Sequence, residues 1–310
     1  MNKHVRVVIL NYNQPVITAK CVSKVLEQVY DTMEVVVVDN ASSQENYSEL
    51  EKLLPGNVVL IRNVTNSGYS AGNNVGIRFD GKLFKADFFI ILNNDVFMHD
   101  RHVIEKLVEV LQKDINVVAA SPKVCDYQLT VQGKDTEIQV RRNADYLTCL
   151  VSGSWWLKRL PLFNEIADLH TYADVRPYAS NMEYDCDTIN GACFIIRNDF
   201  LDTIGLFDEG TFLYFEEIIL GHQIKTRNKK CRLITTVAVE HFQGSSSQQE
   251  HGSYSLQMYK SYVKSQLHYC KHYLNVGILG RVLLVIVRFI DFTSKTLITK
   301  LSKPFIDNHG

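Results

Sequence analysis

The sequence lacks several features that would place a protein in a familiar class. Its seven cysteines include no CxxC pair, which argues against a structural zinc site or thioredoxin-like redox chemistry. No uninterrupted apolar run approaches the roughly 20 residues that span a bilayer, and the first residues do not form the apolar segment of a signal peptide. The net charge of -1 gives no overall attraction to nucleic acid. We therefore expect a cytoplasmic protein in a reducing compartment, without a nucleic-acid partner.

What the sequence does contain is an alternation of two hydrophobic periodicities. Short β-branched runs that suit buried strands lie at residues 5–10, 35–38, 58–61, 88–92 and 117–120. Apolar residues at helical spacing occupy residues 15–29 and 101–112. The alternation predicts an α/β fold with a mostly parallel sheet and right-handed crossovers. Residues 121–190 are expected to form strand edges and loops, residues 191–240 return to mixed α/β character, and a helical pattern runs from about residue 253 onward.

In such sheets ligands bind beyond the carboxyl ends of the strands, and polar residues stand at those ends here. They are Asn11 and Asn13 after the first run, Asp39 and Asn40 after the second, and Asn93, Asn94 and Asp95 after the fourth. One carboxylate could accept a hydrogen bond from a ring N–H or a ribose hydroxyl. Another could hold Mg²⁺ or Mn²⁺ together with phosphate oxygens. Taken alone, Asp39 equally suits a helix N-cap and Asp95 a turn.

Two further segments and one histidine carry residues suited to chemistry. The Gly- and Asn-rich segment 66–76 lets backbone approach a ligand, and a helix beginning there would aim its positive end at phosphate. It matches neither GxGxxG nor the P-loop pattern. Glu216 and Glu217 follow an aromatic stretch, and they suit either a solvated helix start or a cleft in which one acts as a general base. His241 follows a strand-like run and could equally be structural.

Taken in order, these segments resemble the inverting family-2 glycosyltransferases of GT-A fold. The resemblance is to the subgroup with bacterial rhamnosyl-, galactosyl- and galactofuranosyl-type enzymes of surface polysaccharides, and it runs from about residue 5 to about residue 247. The matching segments are VVILNYN (7–13), VVVVDNAS (35–42), NSGYSAGNNVG (66–76), ILNNDV (91–96), NGACFIIR (190–197) and the stretch 207–217. The resemblance implies a catalytic domain over residues 1–250, with a nucleotide-sugar half (1–120) and an acceptor half (121–250), followed by a helical extension (251–310).

The resemblance also implies a role for each candidate residue, with a UDP- or dTDP-sugar as donor. Around the donor it places Asn11, Asn13 and Asp39 near the base, Asn66 and Asn73 in the loop beside ribose and diphosphate, and Asn40, Gly68 and Asn94 as further contacts. Asp95 corresponds to the last acid of a metal-binding DxD motif, with Asn93 and His241 as further candidate ligands for Mg²⁺ or Mn²⁺. Glu217 corresponds to the catalytic base, and Glu216 is the first acid of the same pair.

Four positions depart from the family pattern. Asn93 replaces the first acid of the DxD motif and leaves one strong metal ligand, while Glu217 is one methylene longer than the usual Asp. Ile219 and Gln223 stand where the pattern has an acid and an Arg. These changes leave open a non-catalytic binding or scaffold protein derived from a transferase. A sugar-nucleotide nucleotidyltransferase is a second alternative, although its Gly-rich loop with Arg and Lys is missing after the first strand.

Within the helical C-terminal segment 253–303, residues 276–303 predict a basic amphipathic helix. Arg281, Arg288 and Lys295 recur every seven residues and fall near one face, and Lys300 and Lys303 add positive charge. The apolar residues roughly opposite are Leu283, Ile290, Leu297 and Leu301. Such a helix could lie on anionic lipid at the inner face of the membrane, near a lipid-linked acceptor. It could equally pack on the catalytic domain or on a second copy in a homodimer.

Overall fold

The computed structural model describes residues 3–80, 85–127, 139–172, 182–242 and 256–301, with side chains up to residue 298. Its centre is a mixed nine-stranded sheet. The strands are β1 (Val5–Asn11), β2 (Met33–Asp39), β3 (Val59–Arg62), β4 (Phe88–Asn93), β5 (Val96–Phe97), β6 (Val117–Asp126), β7 (Glu183–Cys186), β8 (Cys193–Arg197) and β9 (Lys230–His241). Their order is β3-β2-β1-β4-β8-β6-β9-β5, with β7 paired to β9. Strands β3, β2, β1 and β4 are parallel, and β8 enters antiparallel beside β4.

Helices cover both faces of the sheet. They are α1 (Pro15–Leu26), α2 (Gln44–Leu53), α3 (Tyr69–Arg78), α4 (Val103–Lys113), α5 (Tyr146–Ser152), α6 (Pro161–His170), α7 (Asn198–Ile204), α8 (Glu216–Lys225), α9 (Leu256–His272) and α10 (Ile278–Leu301), with a 3-10 turn at Leu157–Arg159. Helices α1, α2 and α4 contribute to one core cluster, and α3, α7 and α8 to a second on the opposite face. The α/β sheet flanked by helices is therefore as predicted, and all five predicted strands occur.

The prediction of only strand edges and loops over residues 121–190 is wrong in part. Strand β6 continues to Asp126, and two helices, α5 and α6, follow. Each helix begins at a local signal. The Asp145 side chain accepts a hydrogen bond from the N–H of Thr148 at 2.7 Å, an N-cap. Pro161 occupies the first turn of α6.

Helices α9 and α10 pack on the rest of the molecule through a third core cluster, which joins Phe215 and Ile219 to Tyr269 and Leu284. No described helix is long and apolar enough to cross a bilayer. The domain boundary expected at residue 250 lies outside the described residues.

The predicted basic face of the C-terminal helix is wrong. Arg288 points into the protein and is 1 % exposed. Its guanidinium donates to Asp291 and to Gln266, both over 2.8 Å. The predicted apolar positions that the structure describes, Leu283, Ile290 and Leu297, are exposed instead. The side chains of Lys300, Leu301 and Lys303 lie outside the described residues.

Candidate active site

At the carboxyl ends of β1 and β2, Asn11 and Asp39 are register partners, and both are fully buried. The Asn11 amide donates to the Asp39 carboxylate over 2.7 Å. Ser42 donates to the same carboxylate through its hydroxyl at 2.5 Å and its backbone N–H at 3.1 Å. Arg62 Nε lies 3.8 Å from Oδ2 of Asp39. Oδ2 accepts one hydrogen bond from the described residues, so this oxygen retains acceptor capacity for a ligand.

Asn13 lies in the turn after β1, with the left-handed φ of 55° that Asn tolerates better than most residues. Its N–H donates to the Ser42 hydroxyl over 2.8 Å. Its side-chain oxygen accepts from the Ser43 N–H at 2.9 Å and from the Asn46 amide at 3.1 Å. The turn is thereby joined to the start of α2 at the edge of the sheet.

Asn40 links the end of β2 to the segment before α3. Its amide nitrogen donates to the side-chain oxygen of Asn66 at 2.8 Å and to the carbonyl of Gly68 at 3.2 Å. Its oxygen accepts from the Asn63 amide over 3.0 Å. Because Asn40 is 2 % exposed, these bonds form in a poorly solvated environment. Asn40, Asn66 and Gly68 are therefore brought together.

Helix α3 begins directly after Gly68, whose φ is 88°. A Cβ at this position would lie 2.2 Å from the carbonyl oxygen of Phe212, so the close approach requires glycine. Asn73, expected in the loop, lies within α3 because the helix starts as early as Tyr69. Its amide donates to the Tyr69 carbonyl at 3.0 Å, and its buried Oδ1 has no hydrogen-bond partner among the described residues. The start of α3 thus offers backbone N–H groups and a buried acceptor.

The two asparagines at the end of β4 make different contacts. The Asn93 N–H donates to the carbonyl of Ala192 over 2.8 Å, which fixes β4 against the start of β8. The Asn94 amide donates to Gln14 at 3.0 Å and to Thr18 at 2.9 Å. Asn94 therefore anchors the first turn of α1 through its nitrogen.

Asp95 and His241 form the candidate metal centre. His241 Nε2 lies 3.3 Å from Oδ1 of Asp95, and both residues are largely buried. The pairing of β5 with β9, which sets Val96 opposite His241, brings them together. Within the described ranges, no group of three or more His, Cys, Asp and Glu side chains could hold a metal. One carboxylate and one imidazole suit an Mn²⁺ or Mg²⁺ ion that completes its shell with phosphate and water.

Glu216 and Glu217 open α8 directly after a strained turn. Tyr214 and Phe215 have φ values of 73° and 72°, in the left-handed region that bulky residues avoid. Phe215 is buried in the third core cluster, which holds the turn in place. Strain of this kind concentrates at functional sites, where the surrounding structure maintains it.

Burial, and then the neighbouring Glu217, raise the pKa of Glu216 to about 8. Glu216 Oε1 is enclosed and has no hydrogen-bond partner among the described residues. Glu217 packs on Gly191, where an added Cβ would lie 2.3 Å from Oε1 of Glu217. The Tyr69 hydroxyl donates to the carbonyl of Gly191 over 2.7 Å. Burial, followed by the charges of Glu217 and Glu216, raises the pKa of Tyr69 well above its ordinary value.

The segment Gly191–Ala192 joins the two sides of the candidate site. Ala192 accepts from the backbone N–H of Asn93, two residues before Asp95. Gly191 carries the Tyr69 contact and lies against Glu217. The candidate base and the strand end that precedes the candidate metal centre therefore meet at one dipeptide.

Sequence reasoning gave no role to Tyr69 or Asn74. The Asn74 amide donates to the carbonyl of Phe207 at 2.9 Å, and its oxygen accepts the Phe207 N–H at 3.1 Å. It thus ties α3 to the segment that leads to Glu216. One available signal was the pair of adjacent asparagines inside a helix, because asparagine is a weak helix former and needs a tertiary reason there.

The glycosyl transferase family 2 model matches this chain over residues 6–170, more than half of its length. The chain is 24% identical over 235 residues to the low-salt glycan biosynthesis hexosyltransferase Agl10 of Haloferax volcanii, covering 74% of this chain and 66% of that protein. It is 28% identical over 112 residues to an uncharacterized glycosyltransferase of Haemophilus influenzae, covering 36% of this chain and 35% of that protein. The chain thus spans less than two thirds of the length of either curated relative.

Two solved structures share the fold. GalNAc-T7 with UDP, GalNAc and Mn²⁺ superposes with a TM-score of 0.60 at 20% identity, over 87% of this chain and 48% of that one. Mannosyltransferase PcManGT from Pyrobaculum calidifontis, in complex with GDP-Man and Mn²⁺, gives 0.54 at 15% identity, over 100% of this chain and 89% of that one. At these identities the likeness shows the fold alone, and it confirms the predicted fold class. With the family model matched over more than half of its residues, the chain belongs to glycosyl transferase family 2.

Proposed function

We propose that the protein is an inverting glycosyltransferase. It transfers a sugar such as rhamnose, galactose or glucose from a UDP- or dTDP-sugar to a hydroxyl group of a glycan or of a lipid-linked acceptor. The observation that carries the proposal is the meeting of Glu217 and the end of β4 at Gly191–Ala192. Membership of the family supports the reaction class, and the hexosyltransferase relative of glycan biosynthesis supports a glycan product.

The donor nucleotide lies across the ends of β1 and β2. Asn11 and Asn13 border the base, and Oδ2 of Asp39 accepts a ring N–H, a role supported by its single existing hydrogen bond. Asn40 and Asn66 shape the ribose site. The N–H groups that follow Tyr69 in the first turn of α3 face the diphosphate, and the unpaired Oδ1 of Asn73 accepts a donor hydroxyl. Asn94 contributes by fixing α1 beneath this site.

Asp95 and His241 would hold the metal ion, with Asn93 as a further oxygen ligand. A bound Mn²⁺ or Mg²⁺ would offset the negative charge of the leaving diphosphate. Two protein ligands, Asp95 and His241, are few for such an ion. This supports binding of the ion together with the nucleotide rather than before it. Complexes of both structural neighbours contain Mn²⁺ and a nucleotide or nucleotide sugar, which supports the same requirement here.

Glu217 is the catalytic base. Its carboxylate accepts the proton of the acceptor hydroxyl, whose oxygen forms a bond to the anomeric carbon on the face opposite the diphosphate. The bond between that carbon and the diphosphate oxygen breaks, and the configuration inverts. Glu216, with its pKa raised to about 8, keeps its proton at neutral pH. Orientation of the two sugars supplies much of the acceleration.

The departure at Ile219 has a structural explanation that favours an enzyme over a scaffold. Ile219 is 2 % exposed and packs in the third core cluster with Tyr269 and Leu284. An acid there would be buried beneath α9 and α10 without a partner, which is costly. Ile219 therefore serves the packing of the C-terminal helices, and its presence does not affect the proposed role of Glu217 as the base.

The proposal extends to the organisation of the chain and its setting. Residues 1–120 form the donor half, 121–250 the acceptor half, and 251–310 a helical extension. A rhamnosyltransferase-like role in bacterial surface polysaccharide synthesis follows from the motif order. A cytoplasmic location is supported by the cysteines, all seven of which are free thiols.

The test is a donor screen on the purified protein with Mn²⁺. UDP- and dTDP-sugars, with GDP-mannose for comparison, are assayed for thermal stabilisation and for release of the nucleoside diphosphate. A true donor should raise the melting temperature by mass action and be hydrolysed slowly without an acceptor. Glu165→Gln, an exposed substitution on α6, is the matched control for Glu217→Gln. Donor binding without turnover in the wild type would favour the scaffold alternative, and release of pyrophosphate from a nucleoside triphosphate would favour the nucleotidyltransferase.

A further inference from the structure

Helix α10 buries an ion pair beside two apolar side chains, and its outward side is apolar. The described residues that it buries include the ion pair Arg288–Asp291, whose oxygen and nitrogen lie 2.8 Å apart. Its outward residues are apolar and exposed: Val282, Leu283, Val285, Ile286, Phe289 and Ile290, of which Phe289 is 67% exposed. We name these six residues the α10 outer face. An ordinary surface helix has the reverse arrangement, so this face is built to meet an apolar environment.

The width of the α10 outer face favours a continuous medium over a single partner helix. At about 100° per residue, its six side chains cover an arc of about 160°. Between residues 278 and 298 the sequence places no charged residue within this arc. A helix packed against it would contact only a stripe, leaving apolar side chains in water on both sides, whereas a lipid interface covers a broad convex face at once.

A second segment extends the surface on the same side of the protein. The Trp155 indole N–H donates to the Ser294 hydroxyl of α10 over 3.0 Å, so the segment before α6 lies against the helix. Arg159 stacks on the Trp155 ring, 4.7 Å from its centroid. Leu160 and Leu162 are exposed just beyond. Tryptophan beside cations and exposed leucines is typical of segments at the boundary between headgroups and acyl chains.

The charges of α10 complement anionic lipid. Apart from the buried pair, the charged residues of the helix are Arg281, Lys295 and Lys300, all positive. Each cation near a negatively charged membrane surface adds about 1 kcal/mol of attraction.

We propose that α10 lies in the interface of a membrane that contains anionic phospholipid, with its outer face among the acyl chains and Trp155 at the headgroup level. This contact is independent of the proposed glycosyl transfer. It would nevertheless hold the start of α8 close to lipid, because α8 and α10 share the third core cluster.

The proposal is tested by flotation of the full chain with vesicles of phosphatidylcholine alone and with vesicles that also contain anionic phosphatidylglycerol. Wild type should float with the anionic vesicles and release partly at high salt. The double variant Ile286→Ser/Phe289→Ser should lower the partition coefficient on the order of a hundredfold, since two large side chains lose their transfer into lipid. Ile115→Ser/Val64→Ser, which alters exposed apolar residues elsewhere, should float as wild type.

Circular dichroism and sedimentation velocity accompany the assay, so that loss of folding is not mistaken for loss of binding. If the double variant is folded and floats as well as wild type does, the proposal is wrong. A wild-type protein that does not float and sediments as a dimer, converted to monomer by Ile286→Ser/Phe289→Ser, would assign the face to a second copy instead. Nucleotide-sugar turnover without acceptor should be unchanged in the double variant, which separates this result from the fate of the proposed function.

Discussion

The end of β2 and the start of α8 both present carboxyl groups to the candidate site, yet their surroundings differ. Asp39 accepts three hydrogen bonds from Asn11 and Ser42, within a network that continues through Asn40. Glu216 follows two residues in left-handed conformation and has an enclosed oxygen that no described residue reaches. The donor side is thus a completed framework, which suits repeated binding of one ligand. The acceptor side retains backbone strain before α8 and a Glu216 oxygen without a hydrogen-bond partner among the described residues. Both features are typical of sites of proton transfer.

Glu217→Gln should have the largest effect on the acceptor side. The amide cannot accept the acceptor proton, and loss of a general base costs on the order of a thousandfold in turnover. Steady-state transfer assays with saturating donor measure it. The exposed Glu165→Gln should turn over as wild type, and a loss below about tenfold in Glu217→Gln would remove it from the role of base.

Gly191→Ala should reduce turnover on the order of a hundredfold, as a displacement of about 1 Å can do. Its methyl group would lie 2.3 Å from Oε1 of Glu217 and must push the carboxylate away. Gly56→Ala, where an added Cβ meets nothing within 4 Å, is the control. If donor affinity stays constant while turnover falls, Gly191→Ala acts on the acceptor side and leaves the donor side intact. Full activity in Gly191→Ala would show that the position of Glu217 is not critical.

Asn40→Ala should break the donor framework instead. It leaves the partners at Asn63, Asn66 and Gly68 without their hydrogen bonds, which costs about 1–3 kcal/mol of unfolding free energy when such groups are buried. Urea denaturation measures the loss, and donor affinity should weaken with it. Asn164→Ala, at an exposed site on α6, should change stability little. If Asn40→Ala is as stable as its control, the network is not the framework described.

A pH dependence of stability is expected from Glu216. Its pKa is raised from the ordinary 4.5 to about 8 in the folded protein, so the native state binds the proton more tightly than the unfolded chain. This contribution is complete below pH 4.5 and is lost as pH rises toward 8. Thermal denaturation between pH 5 and pH 8.5 should therefore show a decline that Glu216→Gln flattens. An unchanged decline in Glu216→Gln would assign it to other groups.

The sequence predicted the framework of the sheet well, because buried parallel strands have a local signal. Runs such as the four valines before Asp39 can be recognised without tertiary information. The direction of individual side chains could not be predicted in the same way. Asn94 follows a strand as Asp95 does, yet its amide turns to Gln14 and Thr18 on α1.

The C-terminal helix shows the same limit more clearly. Heptad spacing grouped Arg281, Arg288 and Lys295 on one face. It could not tell whether that face meets solvent or protein. The answer depends on long-range partners of Arg288, namely Gln266 and the carbonyl of Cys149. Spacing along one helix contains no information about groups so distant in sequence.

The most direct test of the account is a calorimetric titration of the nucleoside diphosphate, with and without Mn²⁺, into wild type, Asp95→Asn and Glu217→Gln. Mn²⁺ should strengthen nucleotide binding to wild type, and Asp95→Asn should lose this gain. Glu217→Gln should bind the nucleotide as wild type does while failing to turn over the sugar nucleotide. Equal loss of nucleotide affinity in Asp95→Asn and Glu217→Gln would contradict the division of the site into a donor side and a base.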